Sequence, residues 1–225
     1  FPRELTVPTA DALADSVKPA RLVRSIEEAL DAANEILQAT GKAYKTPDVP
    51  ENEEARLAEL RRLMLLDMRP EEEFDRITKR LAKDIATPIA LLAFVDKDRQ
   101  FFASQVGLPP DLAKSREAPR AVSFCGHVVA EEAVLVVEDV LKDKRFANNP
   151  FLRERGFRFY AGVPLRTSGG FVLGALSVID KAPRAFSDDD RRLLEAAASE
   201  VIAEIERKVS QPVEERPAAP AAAAA

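Results

Sequence analysis

The sequence has few of the residues on which disulfide formation and metal binding depend. Its 225 residues include one cysteine, Cys125, one histidine, His127, and no tryptophan. A lone cysteine excludes a disulfide within the chain, and one cysteine with one histidine cannot form a Cys/His structural zinc site. The two residues stand two positions apart, so any thiol chemistry of the chain depends on this one short stretch.

The chain also lacks the charge and the apolar runs that mark nucleic-acid and membrane proteins. Its formal net charge is −5, opposite to the basic excess of a nucleic-acid binder. No apolar run approaches the roughly 20 residues needed to cross a bilayer, and residues 1–4 lack the apolar core of a signal peptide. With 46% hydrophobic and 32% charged residues, we expect a soluble, cytoplasmic globular protein without a nucleic-acid or membrane partner. The chain begins with Phe1 rather than Met, which fits a piece of a longer protein.

Glycine is unevenly distributed along the chain. It is absent from residues 42–106, whereas seven of the eight glycines lie between Gly107 and Gly174. Because glycine marks turns, turn-rich structure is expected in the second half, after helical lead-in elements. The predicted organisation is an extended arm over 1–20, an N-terminal helix and linker over 21–51, a folded domain over 52–209 and a disordered Pro/Ala tail over 210–225.

Hydrophobic periodicity predicts helices around a sheet. Ser123 and Ser187 are suitable N-caps for a short helix and for the last helix. Helices are predicted over 21–40, 52–66, 70–84, 124–130 and from 187 onward, strands over 88–95, 100–106, 135–137, 158–165 and 171–179, and irregular structure over 111–122. The fold class is therefore α+β, with a central antiparallel sheet of about five or six strands, flanking helices and an N-terminal helical extension.

Several short motifs resemble those of GAF domains from bacterial sensor proteins, and they occur in the order that the family shows. The segment Ser-Phe-Cys-Gly-His at 123–127 is similar to a short helix motif of one subgroup. The other matching segments are the lead-in helices at 55–57 and 74–77, the first strands at 88–96 and 99–108, the acidic turn and loop at 138–150, and the late strands at 158–165 and 173–180. The resemblance spans residues 53–206, about two thirds of the chain.

The resemblance implies a sheet with helices packed on one face and with short helices and loops over the other, where GAF domains often bind a small molecule. It also implies a homodimer formed through terminal helices, and an output domain or partner protein that receives the signal. The motifs identify neither the small molecule nor a cofactor. The predicted helix at 21–40 is either a dimerising and signalling helix or a helix that packs on its own domain.

Cys125 and His127 have a functional and a structural interpretation. In the functional one they are a reactive thiol with an assisting imidazole, or the attachment point of a tetrapyrrole, since a thiolate near a helix N-terminus is stabilised. Residues i and i+2 of a helix point in different directions, however, and a cysteine between Phe124 and Gly126 is also typical of a small buried core residue. Bilin-binding relatives usually carry Cys followed directly by His. Free methionine sulfoxide reductases of this fold use several cysteines.

Polar side chains in the loop 143–150 and the strand 158–160 are candidate ligand contacts. Arginine suits bidentate recognition of a carboxylate or phosphate. In the structural alternative, Asp139 or Asp143 pairs with Arg145 or Arg158. The predicted ligand-binding residues are Phe124, Cys125, His127, Asp139, Arg145, Phe146, Asn148, Arg158 and Tyr160, and no catalytic or metal-binding residue is predicted.

The sequence therefore favours a GAF-type sensory or regulatory module that is not itself an enzyme. It would bind a small-molecule effector or mediate dimerisation in signal transduction. Three alternatives stay open: a methionine sulfoxide reductase-like thiol enzyme using Cys125, a tetrapyrrole-binding photosensor domain, and a protein-interaction scaffold. They differ in the reactivity of Cys125 and in the volume and occupancy of the pocket.

Overall fold

The computed structural model describes residues 44–210. The predicted arm over 1–20, the helix over 21–40 and the tail beyond residue 210 lie outside the described residues. The elements in chain order are α1 (Glu53–Arg62), α2 (Glu72–Asp84), β1 (Ile89–Val95), β2 (Arg99–Val106), α3 (Pro110–Ser115), β3 (Glu117–Pro119), a 3-10 turn (Arg120–Val122), α4 (Phe124–Glu131), β4 (Leu135–Val137), α5 (Pro150–Glu154), β5 (Phe159–Arg166), β6 (Val172–Asp180) and α6 (Asp188–Ser210).

The strands form one six-stranded sheet in the order β3-β2-β1-β6-β5-β4. All neighbouring strands are antiparallel. The two central strands, β1 and β6, pair from Ile89 opposite Ile179 to Phe94 opposite Gly174. This architecture confirms the predicted α+β class with a central antiparallel sheet and flanking helices.

Strand β1 is buried along its whole length because both faces of the sheet are covered. Leu92 and Phe94 belong to a core cluster with residues of α1, α2 and α6, and we name this side the helical face. Leu91 and Val95 belong to a second cluster with residues of α3, α4 and α5, and we name this side the cavity face. Alternate residues of a strand point to opposite sides, so an unbroken apolar run is expected where both sides are covered.

The longest helix, α6, begins with a reciprocal cap. The backbone N–H of Asp190 donates to the Ser187 hydroxyl at 3.1 Å, and the Ser187 N–H donates to the Asp190 carboxylate at 3.0 Å. This arrangement satisfies two backbone donors at the helix start and confirms Ser187 as the N-cap. Within residues 44–210, no helical segment has both the length and the hydropathy of a transmembrane span.

Strand β2 contains a bulge at Ala103. The register between β1 and β2 shifts after Leu92, so Ala103 has no partner residue on β1. The Arg116 guanidinium reaches this point, where Nη2 donates to the carbonyl oxygen of Ala103 at 3.0 Å and Nε donates to that of Phe102 at 3.1 Å. An extra residue disrupts the local ladder, and Arg116 supplies donors to the carbonyls at the bulge.

The prediction of irregular structure over 111–122 is wrong. This stretch lies in α3, the edge strand β3 and the 3-10 turn. Pro110 suits the first turn of a helix, whereas β3 has only three residues and pairs with β2 from Arg99 opposite Pro119 to Phe101 opposite Glu117. Its formation therefore depends on β2 rather than on its own sequence pattern. The short helix α5 is also absent from the prediction, and the remaining elements differ only by a few residues at their ends.

Candidate functional site

A small cavity lies on the cavity face, between α4 and the sheet. The space open to a water-sized molecule is about 20 Å³, which is room for about one water. Gln100, Ser123, Phe124, Cys125 and Tyr160 line it, together with aliphatic and aromatic side chains from β1, α3 and α5. The cavity therefore has a mostly apolar wall with a few polar groups, as small-molecule sites usually do.

Two polar side chains fix the starts of the helices that cover the cavity. Ser123 Oγ accepts a hydrogen bond from the Gly126 N–H at 2.9 Å and donates to the Arg120 carbonyl oxygen at 2.8 Å. Asn149 Nδ2 donates to the Val122 carbonyl oxygen at 3.1 Å, and its Oδ1 accepts from a backbone N–H in the first turn of α5 at 3.3 Å. These hydrogen bonds cap the first turns of α4 and α5, and Asn149 also links the start of α5 to the residue before the N-cap of α4. They confirm Ser123 as an N-cap.

Aromatic rings fill most of the space under α4. The Phe124 ring stacks on Tyr160 with 4.3 Å between centroids and 19° between planes, and Phe146 contacts Phe124 with 4.8 Å between centroids. The Tyr160 hydroxyl occupies the space beside Gly162, where an added Cβ would come within 2.2 Å of the hydroxyl oxygen. The cavity is small because the protein's own side chains occupy it.

Cys125 lies beneath α4 and is 2% exposed. Its Sγ is 3.6 Å from the Tyr160 hydroxyl oxygen. Burial raises the pKa of the Cys125 thiol to about 11, and hydrogen bonds with Tyr160 and Ser177 oppose this only in part. Burial likewise raises the pKa of Tyr160 well above its ordinary value. Both groups are neutral at neutral pH, so the thiolate that a nucleophilic cysteine requires is scarcely populated.

His127 has partners different from those of Cys125. Its Nε2 is 3.1 Å from the carbonyl oxygen of Lys45, and because a carbonyl can only accept, the neutral ring carries its proton on Nε2. Its Nδ1 lies 3.7 Å from the Glu131 carboxylate and has no hydrogen-bond partner among residues 44–210. Burial lowers the pKa of His127, although the Lys45 carbonyl and Glu131 act in the opposite direction.

The polar candidates near the cavity face form ion pairs with one another. Arg158 donates to one oxygen of Asp139 from Nε at 3.0 Å and from Nη2 at 2.9 Å. Burial raises the pKa of Asp139, but hydrogen bonds from Arg158 and from the Leu141 backbone lower it overall. Arg145 donates to both oxygens of Asp143, with the shorter contact at 2.8 Å. Both pairings of the structural alternative are therefore present.

The structure brings three of the nine predicted ligand contacts to the cavity and places the others around it. Those lining the cavity are Phe124, Cys125 and Tyr160. Outside the cavity, His127 of α4 and Phe146 meet edge to face with 4.9 Å between ring centroids. The remaining four are Asp139 and Arg158, which pair with each other, Arg145, which pairs with Asp143, and Asn148, which is half-buried in the loop before α5.

Sequence reasoning missed Gln100 and the side chains of α3 and α5 that close the cavity. Gln100 is buried in β2, and its Oε1 has no hydrogen-bond partner within the described part of the chain. Phe151 and Leu152 line the cavity from α5. The dipeptide Asn149-Pro150 carries a signal for α5, since asparagine is a favoured N-cap and proline a favoured first helical residue.

The sheet order, the covering helix and the cavity agree with the match to a known family. The GAF domain family matches residues 69–205, which is more than half of the chain. The chain belongs to the GAF domain family, a family of signalling modules, as its motifs predict.

One curated relative and two solved structures place the chain further. A protein named as a cyclic di-GMP phosphodiesterase of Pseudomonas aeruginosa is 40% identical over 162 residues, which cover 71% of this chain and 27% of the relative. This chain thus spans about a quarter of that relative's length. The GAF domain of an Acinetobacter phosphoenolpyruvate-protein phosphotransferase has a TM-score of 0.51 at 19% identity, covering 69% of this chain and 96% of that domain. The corresponding domain from Coxiella burnetii has a TM-score of 0.50 at 18% identity, covering 69% and 97%. At these identities the two structures show the shared fold.

Proposed function

We propose that this chain is a sensory or regulatory GAF module without catalytic activity of its own. It associates through its helical face and thereby controls an attached or associated output domain. The observation that carries the proposal is the small volume of the cavity. A space of about 20 Å³ admits neither a nucleotide nor a tetrapyrrole unless Phe124 and Tyr160 move. The domain as folded is therefore suited to signal through contacts of its surface.

The surroundings of Cys125 support a role without thiol catalysis. The thiol is buried under α4 and has a raised pKa of about 11. The chain has no second cysteine to resolve an oxidised intermediate, a step that reversible thiol catalysis requires. These two features favour the regulatory role over the sulfoxide reductase alternative.

The outer surface of α2 and α6 has features that suit association with a second copy. Ala196, Ser199 and Ala203 are exposed at three- and four-residue spacing on α6, so they lie on one side of the helix. A groove of about 180 Å³ lies between the two helices at Ala203, and Arg76 pairs with Glu73 at its edge at 2.6 Å. Small side chains permit close approach of a second helix. In a twofold dimer the same patch of both copies meets, so the acidic residues of one copy can pair with the basic residues of the other.

The curated relative supports a proposal for the output. That relative is named as a cyclic di-GMP phosphodiesterase, and the aligned part is only 27% of its length. We infer that this chain is the regulatory part of a system that makes or degrades cyclic di-GMP, within one polypeptide or through a partner protein. The chain alone is expected not to hydrolyse cyclic di-GMP.

Sedimentation equilibrium of the full chain tests association. We expect a dimer that the substitution Ala203→Arg converts to a monomer, because the new side chain would occupy the close contact. Ala182→Arg, in the exposed turn after β6, is the matched control and should leave the dimer intact. A wild-type chain that is monomeric at every concentration, or a dimer unaffected by Ala203→Arg, would contradict the proposal.

A second candidate function is the sensing of a small uncharged molecule, and the Gln100 side-chain oxygen favours it because it has no hydrogen-bond partner within residues 44–210. A buried oxygen without a hydrogen-bond partner costs about 1–3 kcal/mol, which a ligand N–H or O–H group would recover. The apolar wall and the neutral state of Cys125 and Tyr160 disfavour charged molecules in this space.

Thermal unfolding in the presence of primary alcohols of increasing length tests the second candidate. We expect methanol to stabilise the wild type relative to Gln100→Leu, and longer alcohols to lose the effect because they exceed a cavity with room for about one water. Gln105→Leu is a control in the same strand: its side chain does not line the cavity, and the hydrogen bond that it loses is with the Leu108 backbone. Equal responses of wild type and Gln100→Leu would remove this candidate.

A further inference from the structure

Residues 44–50 lie against α4 without regular secondary structure, and we name this segment the strap. It belongs to the same compact unit as the sheet. The backbone N–H of Lys45 donates to the Arg145 carbonyl oxygen at 2.8 Å, and the Lys45 carbonyl accepts from His127 Nε2 at 3.1 Å. A single strap residue is therefore joined both to the loop before α5 and to α4.

Pro47 packs where α4 has no side chain. A Cβ added at Gly126 would come within 2.6 Å of Pro47 Cγ, so the proline ring occupies the space that glycine leaves open. This contact gives Cys125, Gly126 and His127 three different roles. Cys125 contacts Tyr160 of the sheet, Gly126 admits Pro47, and His127 holds the strap backbone.

The chain continues from the strap into α1, which contacts the residues on either side of α4. Asn52 Nδ2 donates to Glu132 at 3.3 Å, directly after the end of α4. Glu53 pairs with Arg120, three residues before the N-cap of α4. Glu53 also accepts from Arg56 at 2.8 Å, and Arg56 is almost fully buried. The outer side of α4 is thus held by consecutive parts of one segment.

We propose that the strap keeps α4 on the sheet and that the cavity widens only when the strap leaves α4. A change in the chain before residue 44 would then control access to the cavity, and a molecule in the cavity would in turn affect docking of the strap, because coupling between two sites is reciprocal. The helix has eight residues, too few to be stable without tertiary contacts. The proposal rests on the second candidate function only for the identity of the molecule that enters the cavity; the movement of the strap and α4 does not depend on it.

Cys125 is the reporter for this opening because it is the chain's only cysteine and lies beneath α4. We would measure the rate at which an aromatic disulfide reagent labels it under native conditions in the full chain. Pro47→Gly removes the strap's ring from α4, and His127→Phe keeps a ring but removes the donor to Lys45. Loss of such a contact shifts a local equilibrium by about 1 kcal/mol, so each variant should label roughly fivefold faster.

The matched control is Val49→Gly, since Val49 lies in the strap but is 69% exposed. It introduces a glycine into the strap at an exposed position, so it frees the backbone without removing a buried ring, and its labelling rate should stay within about twofold of the wild type. Hydrogen exchange separates local opening from global unfolding, because the amides of α4 should exchange faster in Pro47→Gly while those of β1 do not.

The strap proposal is overturned if Val49→Gly labels as fast as Pro47→Gly, or if labelling rises only in step with exchange of β1. It is also overturned if both strap variants label at the wild-type rate. Sedimentation of the same variants distinguishes failure of the strap proposal from failure of the dimer proposal. A monomeric chain would refute association through α6 and would leave the labelling result unaffected.

Discussion

The two faces of the sheet are built from the same strands but are covered in different ways. On the helical face, α1, α2 and the 23-residue α6 cover a cluster of mainly aliphatic side chains and phenylalanines. On the cavity face, three helices of at most eight residues, together with loops and the strap, cover a cluster that includes Cys125 and Tyr160. The cavity lies on the second side, as does the Gln100 side-chain oxygen, for which the described part of the chain offers no hydrogen-bond partner.

Because of this difference, we expect the helical face to resist local opening and the cavity face to permit it. A long amphipathic helix buries a continuous stripe and resists local opening, whereas a short helix depends on each of its few tertiary contacts. Ligand-binding elements are drawn from the less stable parts of a domain. The covering layer of the cavity face is therefore the part that we expect to move, with the helical face as its rigid support.

The largest expected effect comes from two neighbouring residues of β1, Leu91 and Leu92, which point to opposite faces. Both are at least 97% buried. Leu92→Ala should cost about 4 kcal/mol, because the helical face cannot collapse around the lost volume. Leu91→Ala should cost about 2 kcal/mol, since this wall already borders a cavity and the enlarged space can admit a water to Gln100. Urea denaturation compares them, and equal losses would show that the faces do not differ.

A smaller loss is expected from the acidic group that joins the two faces at the start of α1. Glu53 accepts hydrogen bonds from Arg56 and Arg120, and both guanidinium groups are buried. Glu53→Gln leaves two buried cations without their carboxylate and should lower the free energy of unfolding by about 3 kcal/mol. The neighbouring Glu54→Gln, at an exposed position, is the control. A change of Glu53→Gln no larger than that of Glu54→Gln would argue against this junction.

The smallest effect concerns pH and is confined to the cavity face. The pKa of His127 is lowered by burial, so the unfolded chain binds a proton more readily than the folded one, and stability falls with acidification below the ordinary value of about 6.5. The wild type should therefore lose stability relative to His127→Phe as the pH falls below about 6.5. Charged groups that act on the ring are Lys45, Asp48, Glu131, Asp143 and Arg145.

Denaturation curves of the two proteins across this pH range provide the measurement. Titration of the carboxylates is common to both proteins and largely cancels in the difference. Parallel curves would mean that His127 titrates alike in the folded and unfolded chains, and a curve in which the wild type gains stability on acidification would reverse the assigned sign.

Local signals made much of this fold predictable. The unbroken apolar run of β1, the cap at Ser123 and the cap at Ser187 each act within a few residues, and all three elements are present. The stretch over 111–122 failed because β3 exists only through pairing with β2, and because Arg116 adopts a left-handed backbone conformation with φ of 56° while its side chain binds a distant strand. Pairing partners that are remote in sequence cannot be inferred from periodicity.

The cavity was only partly predictable for a similar reason. Phe124, Cys125 and Tyr160 follow from the motif at 123–127 and from the strand at 158–165. Gln100 does not, because the sequence of a strand does not show whether the side chain of a polar residue has a hydrogen-bond partner. The strap was predicted only as a linker, because the fit between Pro47 and Gly126 joins positions 79 apart in the sequence.

The bulge in β2 has a consequence for variants that differ in length. Ala103 is small, faces the helical core cluster and has no partner on β1, so its deletion would seem harmless to strand pairing. Alternation along the strand, which has a period of two, would also be kept, because Phe102 packs in the cavity-face cluster whereas Ser104 bonds to Thr78 of α2 on the helical face. Arg116 would lose one acceptor at the edge of the segment that leads to α4. Deletion of Ala103 should therefore leave the pairing of β1 with β2 in place and cost mainly this hydrogen bond and the contacts of its own methyl group.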